Sequence, residues 1–128
     1  MTPPAGHLVH GASAEAEAAR YLVDQGLELL TTNFRCRFGE LDLVMRDGKV
    51  LVVVEVRSRR RTNVTTPEAT VGRQKQRRLI GATRYLLVRY RQFADWPVRF
   101  DVVAITGELE KPEIRWFRSA FTLDVAGP

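Results

Sequence analysis

Three carboxylates flank a short turn, and their spacing is the first feature of this sequence that could do chemistry. Glu40 and Asp42 belong to the alternating segment ELDLVMR, and Glu55 belongs to KVLVVVEVR. Asp47-Gly48 separates the two segments, and Asp-Gly between two such runs predicts a two-residue hairpin turn. The carboxylates are therefore expected on two neighbouring antiparallel strands.

The register of this hairpin decides which side chains meet. A turn centred on those two residues pairs Arg46 with Lys49. Glu40 then lies opposite Glu55, and Asp42 lies diagonal to Glu55. Since side chains alternate along a strand, the three carboxylates share one face, together with Val44, Leu51, Val53 and Arg57. The other face carries only apolar residues and is expected to be core: Leu41, Leu43, Met45, Val50, Val52, Val54 and Val56.

Carboxylates placed this closely repel one another, and partial burial would raise their pKa values. A hard cation such as Mg²⁺ or Mn²⁺, which favours oxygen ligands, relieves the repulsion. The pattern is therefore typical of a site in which Glu40, Asp42 and Glu55 surround a metal ion. The alternative is a solvated outer face in which Glu55 pairs with Arg57 or another arginine.

Two predicted helices carry further candidates. The first begins with Ser13 as its N-cap and ends at Gly26 as its C′ residue, and Glu15 lies on its packed side. The second spans about residues 68–91, and Lys75 lies inside its apolar stripe. Lys75 either extends along the edge of the core into solvent or approaches the carboxylates.

The order of elements is α-β-β-β-α-β-β, which predicts an α/β fold with a mixed β-sheet flanked by α-helices. One domain over residues 13–122 is expected, between a flexible N-terminal segment at 1–12 and a C-terminal tail at 123–128. The predicted strands span residues 27–38, 40–46, 49–57, 98–105 and 113–118.

Composition narrows the class of protein. The chain has 128 residues, of which 45% are hydrophobic, so it is expected to fold around a core. Its longest apolar run, at 50–54, is far too short to cross a membrane, and its first residues lack the apolar stretch of a signal peptide. Cys36 is the single cysteine, which excludes an intrachain disulfide and fits a cytoplasmic location.

The charge is unevenly distributed. Residues 57–91 hold eleven basic side chains and one acidic one, whereas the whole chain has a net charge of +5. Such asymmetry favours a polyanionic partner, most often nucleic acid, although a solvated basic helix is the alternative. Tyr85 and Tyr90 could stack on bases, but packing or surface positions are favoured for both. The candidate phosphate-binding residues are Arg59, Arg60, Arg61, Arg73 and Arg77.

Six segments of this chain together resemble the YraN family of small bacterial proteins, in order and spacing from about Gly11 to Phe121. GELDL followed by VVVEVR is the specific part of the resemblance. The other segments are GASAEAEAARYL, the NFRCRF and VMRDG flanks of GELDL, PEATVGRQKQRRL, RFDVVAI and the closing AF. That family is similar to the PD-(D/E)XK nuclease superfamily, which has the restriction-endonuclease-like fold, and within it to archaeal Holliday-junction resolvases.

The resemblance implies roles for individual residues. Glu15 takes the place of the N-terminal helix glutamate, Asp42 that of the metal-binding aspartate, and Glu55 that of the glutamate in the E-x-K element. Lys75 and the neighbouring Gln76 match the lysine region of the helix. Glu40 is a less certain ligand.

Two departures bear on the activity that the resemblance implies. Arg57 stands where the superfamily has lysine, and arginine can stabilise charge but effectively never deprotonates. The loop at 61–64 also lacks the Phe-Gly pair that the family often shows.

The first hypothesis, which draws on this resemblance, is a Mg²⁺-dependent endonuclease on structured DNA, with Asp42, Glu55, Arg57 and Lys75 as its catalytic residues. Asp42 and Glu55 would hold the metal, and Glu15 or Glu40 would complete the site. A junction resolvase would need two active sites and hence a homodimer. The second hypothesis is a nucleic-acid-binding protein of the same fold with weak or lost catalysis. The third is a protein-interaction adaptor, which predicts weak DNA binding.

Overall fold

The computed structural model describes residues 10–59, 70–107 and 111–122, and within them a five-stranded sheet lies between two helices. The strands lie in chain order, β1 to β5, across the sheet. Strands β3 and β4 run parallel, and every other neighbouring pair is antiparallel. The elements are α1 His10–Asp24, β1 Glu28–Cys36, β2 Gly39–Asp47, β3 Val50–Arg59, α2 Arg73–Arg89, β4 Val98–Thr106 and β5 Glu113–Phe121, with a 3₁₀ turn at Arg91–Phe93. The predicted mixed α/β fold is confirmed, and it is consistent with the restriction-endonuclease-like fold.

Both helices differ from their predicted bounds at the N-terminal end. Helix α1 begins at His10, three residues before the predicted cap at Ser13. It ends as predicted, since Gly26 adopts a φ of 105°. Helix α2 begins at Arg73 because Gly72 before it is extended, with φ −62° and ψ 153°. Residues 1–9, 60–69, 108–110 and 123–128 lie outside the described residues. Within the described ranges, neither helix is long and apolar enough to cross a membrane.

The two helices cover opposite faces of the sheet, so the central strands are buried on both sides. Helix α1 packs Ala14, Ala18 and Leu22 against one apolar cluster of the sheet, which includes Leu43 and Val54. Helix α2 packs on the other face, where a second cluster is buried. That second face carries Val44, Leu51 and Val53, and it is the face on which the sequence placed the carboxylates. The alternative of a solvated outer face is therefore wrong for the centre of β2 and β3.

The hairpin between β2 and β3 forms, but its register differs from the prediction. Asp47 pairs with Val50 and Arg46 pairs with Leu51, so the two turn residues are Gly48 and Lys49. Gly48 has a φ of 62°, which suits the first central position of a type II′ turn and is nearly free of cost for glycine. The predicted pairing of Glu40 with Glu55 is therefore wrong. Each residue of β2 pairs two positions further along β3 than predicted, so the predicted faces are kept from Leu43 to Val54.

A buried carboxylate that the sequence did not single out joins β4 to β5. Asp101 is 1% exposed, and its oxygens accept hydrogen bonds from the Arg99 guanidinium, from Trp116 Nε1 at 2.9 Å and from the Ser119 backbone N–H at 3.0 Å. The β4–β5 pairing is irregular between Phe100 and Val102, so this carboxylate supplies an acceptor that the ladder lacks there. Arg99 is also 3.2 Å from Asp47.

We expect Asp101→Ala to lower the free energy of unfolding by about 3–5 kcal/mol. The change leaves the Trp116 indole N–H without its acceptor and leaves the largely buried Arg99 guanidinium with Asp47 as its remaining carboxylate partner. Urea denaturation followed by circular dichroism measures the loss. Glu17→Ala is the control, since the Glu17–Arg20 ion pair lies at the surface and should contribute less than about 1 kcal/mol. Equal losses in the two variants would contradict the structural role of Asp101.

Candidate active site

The candidate site lies where β2 and β3 stop pairing. Their ladder ends at Leu43 and Val54, and continuing the same register would place Asp42 opposite Glu55. Instead of a backbone carbonyl, the Asp42 side chain takes the next hydrogen bond, since the Val56 N–H donates to Oδ2 at 2.9 Å. A carboxylate thus occupies the position of a ladder acceptor at the point where the strands separate.

Strand β2 also breaks its alternation at Asp42. Leu41 packs in the cluster under α2, whereas Leu43 packs in the cluster under α1, although two residues of a regular strand share a face. The simple alternation expected from the sequence is therefore wrong at this position. Asp42 lies between the two layers, where it interacts with groups from α1 and from β3.

Glu15 reaches this position from α1. It is half-buried, and it hydrogen-bonds the side chains of Asn33 and Asp42. Burial raises the pKa of the Glu15 carboxyl, the charges of Glu40 and Glu55 raise it further, and the hydrogen bond from Asn33 lowers it. A proton on Glu15 would therefore be favoured more than on an exposed glutamate.

Asn33 is a residue of the site that the sequence analysis missed. It adopts a φ of 52° within β1, a conformation in which asparagine is enriched among non-glycine residues. The β1–β2 pairs on either side, Thr32 with Leu43 and Phe34 with Leu41, place it opposite Asp42. The signal in the sequence was the presence of an asparagine within a predicted strand, since asparagine is depleted in strands and enriched at positive φ.

The pKa of Asp42 is strongly raised by its surroundings. Burial raises the pKa of the Asp42 carboxyl to about 7, with the Glu55 charge as the second cause and Glu15 as a further one, against the lowering effect of the Val56 N–H. Near neutral pH the site therefore holds more negative charge than its surroundings stabilise. A proton or a cation would relieve it.

Lys75 is the cation that the structure brings to this cluster. Its Nζ lies 2.6 Å from Glu55 Oε2, and the Glu55 side chain is only 7% exposed. Lys75 stands in the first turn of α2, and its own side chain is 46% exposed, so its ammonium faces both the cluster and solvent. Gln76 beside it donates from Nε2 to the Val71 carbonyl at 2.7 Å. Its Oε1 is a buried acceptor that lacks a hydrogen-bond partner among the described residues.

Two other predicted residues lie at the margin of the site. Arg57 follows Glu55 by two positions on β3, is half-buried, and pairs with Ala104 of β4. Glu40 is exposed, and its Oε2 lies 3.1 Å from Arg35 Nε. Glu40 therefore acts on the cluster through its charge, which raises the pKa of Glu15.

The structure describes the side chains of two of the five predicted phosphate-binding arginines. Arg73 and Arg77 are exposed in the first turns of α2. Arg59 is the last residue of β3, and its side chain lies outside the described part of the structure. Arg60 and Arg61 fall in the gap between 59 and 70, so the structure does not describe them.

The residue types in this cluster suit a divalent metal, but the positions of their side chains suit it less well. Asp42 and Glu55 interact directly, and Glu15 joins them through Asp42. All three offer carboxylate oxygens, the ligands that Mg²⁺ and Mn²⁺ prefer, and Lys75 is the cation that pairs with Glu55. In the ranges that the structure describes, however, no three side chains of His, Cys, Asp or Glu stand close enough together to hold an ion as they are.

The fold and this site define an α/β protein with a mixed five-stranded sheet and a carboxylate cluster at the split between β2 and β3. The model of the uncharacterised protein family UPF0102 matches residues 14–105. The chain belongs to this family, and the resemblance to YraN proteins is thereby confirmed. The matched range contains every member of the carboxylate cluster and Lys75.

Relatives in several bacteria match most of the chain. A UPF0102 protein of Stutzerimonas stutzeri is 48% identical over 87% of this chain and 92% of its own length. One from Alkalilimnicola ehrlichii is 48% identical over 93% of this chain and 91% of its own length. One from Legionella pneumophila subsp. pneumophila is 42% identical over 87% and 92%, respectively. The similarity therefore extends beyond the site to nearly the whole fold.

Asp42→Asn should stabilise the protein at alkaline pH. The folded-state pKa of Asp42 is raised from 3.8 to about 7, so its favourable contribution is complete below about pH 4 and is lost as the pH rises to 7. The asparagine keeps an oxygen for the Val56 N–H but has no charge. We expect the variant to exceed the wild type by about 2 kcal/mol at pH 8 and to approach it at pH 4.

Chemical denaturation in EDTA at pH 4, 6 and 8 measures this difference. Asp95→Asn is the matched control because Asp95 is exposed, and its effect should vary little with pH. A gain from Asp42→Asn that is equal at all three pH values would show that charge at this position is not the cause.

Proposed function

We propose that this protein is a nuclease that hydrolyses phosphodiester bonds in structured DNA with the help of Mg²⁺ or Mn²⁺. The observation that carries the proposal is the cluster of Asp42, Glu55 and Glu15, whose carboxyls stand together at the strand split with Lys75 beside them. Carboxyls held close together, two of which (Asp42 and Glu15) have raised pKa values, suit the charge of a metal ion, and the neighbouring lysine suits a phosphate.

In this proposal Asp42 and Glu55 hold the metal, and Glu15 completes the site through a small movement or a bridging water. A bound Mg²⁺ would polarise the phosphate and lower the pKa of a coordinated water. Lys75, which is half exposed, would contact the phosphate and stabilise the charge that develops on it. Arg57 would add positive charge without exchanging a proton.

Metal and proton compete for the same oxygens. Since the pKa of Asp42 is about 7, metal binding near neutral pH displaces a proton from an appreciable fraction of the molecules. Metal affinity is therefore expected to rise as the pH increases from 6 to 8. This dependence is a property of the chain that can be measured without any substrate.

Mn²⁺ at ten times its dissociation constant should raise the melting temperature at pH 8 by about 5 °C. At the same concentration the rise should be smaller at pH 6, where Asp42 retains its proton. Differential scanning fluorimetry with Mn²⁺, Mg²⁺ and EDTA measures this effect. Asp42→Asn should abolish the shift and Glu17→Gln, on the outer side of α1, should preserve it. An unchanged shift in Asp42→Asn would exclude this carboxylate as a ligand.

Cleavage is tested with end-labelled four-way junction, flap, duplex and single-stranded DNA. Cutting should require Mg²⁺ or Mn²⁺ and should fall by roughly 100-fold or more in Asp42→Asn and Glu55→Gln, since even outer-shell changes at metal sites cost about 10- to 100-fold. Arg57→Lys should increase the rate if arginine is the poorer neighbour of the metal. Metal-dependent cutting that persists in both carboxylate variants would identify a contaminating nuclease and refute the proposal.

The second candidate is a nucleic-acid-binding protein of the same fold with weak or lost catalysis. Arg57, which cannot serve as a proton carrier, is the observation that favours it. Binding that persists in EDTA, with no cleavage by the wild type or by Arg57→Lys, would establish this candidate. A junction-resolving activity would require a homodimer, and the single cysteine suits a cytoplasmic site of action. Weak binding with little dependence on salt would favour a protein adaptor instead.

A further inference from the structure

A cleft of about 400 Å³ lies between the end of β1 and the second half of α2. Its volume falls within the range of about 300–1,000 Å³ that is typical of ligand pockets. Six of its lining residues carry the argument, and we call the surface that they form the aromatic cleft: Phe34, Tyr85, Tyr90, Arg35, Arg37 and Arg89. These residues are separate from the carboxylate cluster and from the arginines singled out in the sequence.

The three rings of the aromatic cleft form a continuous row with the neighbouring ring of Phe38. Ring centroids lie 6.2 Å apart between Phe38 and Tyr85, 6.2 Å between Tyr85 and Phe34, and 6.4 Å between Phe34 and Tyr90. Phe38, Tyr85 and Tyr90 remain 42%, 40% and 38% exposed. A row of rings that contact one another and still face water is larger than a scattered exposed side chain, and it indicates a binding surface.

A glycine in α2 allows Phe38 to pack closely against the helix. Phe38 follows β1 and rests on α2 at Gly81, where a Cβ atom would lie 3.2 Å from the Phe38 Cβ. Glycine in the middle of a helix is destabilising by about 0.5–1 kcal/mol relative to alanine. The close approach of Phe38, which sets its ring beside Tyr85, gives a physical reason for glycine at this position.

Positive charge accompanies the rings. The Arg37 guanidinium lies 4.9 Å from the centroid of the Phe38 ring, and the Arg89 guanidinium lies 5.7 Å from that of Tyr90. Hydrogen bonds to the Tyr90 and Tyr85 side chains raise the pKa of Arg89. The residues that line the cleft within the described chain include no acid, so its charge suits an anion.

We propose that the aromatic cleft binds an unpaired nucleobase of a single-stranded segment, with the neighbouring phosphates held by its arginines. Rings interleaved with arginines are the arrangement by which proteins bind single strands, through stacking and cation–π contacts. Bases inside a duplex are not available for such stacking. This proposal rests on nucleic acid being the partner, and it deepens the proposed function by naming a substrate with unpaired bases.

The cleft is connected to the carboxylate site through one ion pair. Arg35 lines the cleft and contacts Glu40, whose charge acts on Glu15. Glu40 precedes Asp42 by two residues, about 7 Å along β2. A base held in the cleft would therefore bring the adjoining backbone toward the carboxylates.

Fluorescence anisotropy in EDTA tests the cleft without any cleavage step. The probes are a labelled oligo-dT, a labelled oligo-U, a duplex of equal length, and the oligo-dT with abasic sites at its centre. We expect both single strands to bind more tightly than the duplex. The abasic strand, which keeps its phosphates, should bind about 5- to 100-fold more weakly than the intact one. The tighter of oligo-dT and oligo-U identifies DNA or RNA as the source of the base.

Substitutions separate stacking from charge. Tyr85→Leu and Tyr90→Leu should each weaken single-strand binding by about fivefold or more and leave duplex binding unchanged. Tyr85→Phe, which keeps the ring, should retain the affinity. Val88→Ala is the control, because Val88 lies on the same helix, is 72% exposed and does not line the cleft. Circular dichroism melts establish that each variant is folded.

Several results would overturn the proposal. Unchanged single-strand affinity in both leucine variants would do so, as would equal loss in Tyr85→Phe or equal binding of the abasic strand. If sedimentation shows that the leucine variants dissociate a dimer without affecting the binding of nucleic acid, the surface joins two copies of the chain instead. Failure of the nuclease proposal appears separately, as absence of metal-dependent cleavage, and it does not alter these binding results.

Discussion

The arrangement of the site depends on one hydrogen bond, from the Val56 N–H to the carboxylate of Asp42. In a regular ladder this donor would meet a backbone carbonyl of β2. Here a side chain accepts it, so the two strands can separate without leaving the buried donor unpaired. The separation is also what lets Glu55 face Lys75 while Asp42 turns toward Glu15.

The same arrangement sets a limit on stability. Helices α1 and α2 bury both faces of the central strands, and burial is the largest cause of the raised pKa values of Asp42 and Glu15. Acids placed in this way weaken the fold at neutral pH, whereas Asp101, whose hydrogen bonds are satisfied by Arg99, Trp116 and Ser119, strengthens it. Among the described residues, the carboxyls of Asp42 and Glu15 therefore oppose folding at neutral pH, whereas the carboxyl of Asp101 favours it.

Much of this could be read from the sequence, because patterns of alternation and helical spacing report burial directly. The order of elements, the hairpin and the positions of Glu15, Asp42, Glu55 and Lys75 on separate elements follow from such patterns. The register of the β2–β3 hairpin could not be predicted in this way. It depends on whether Gly48 is the first or the second central residue of the turn, and in the structure Gly48 is the first. The break at Asp42 and the role of Asn33 arise from contacts between distant segments, to which a local pattern is blind.

Helix α2 connects the two surfaces described above. Lys75 in its first turn contacts Glu55, and Tyr85 ten residues later belongs to the aromatic cleft. At 1.5 Å per residue these positions lie about 15 Å apart along the helix axis. Consecutive nucleotides of a B-form strand are about 3.4 Å apart along the axis. A B-form strand that spans both surfaces would therefore cover roughly four nucleotides. A more extended strand would cover fewer. If the protein binds nucleic acid as proposed, the rigid helix would fix the distance between a stacked base and a phosphate at the carboxylates, and this distance would determine where along a strand the protein acts.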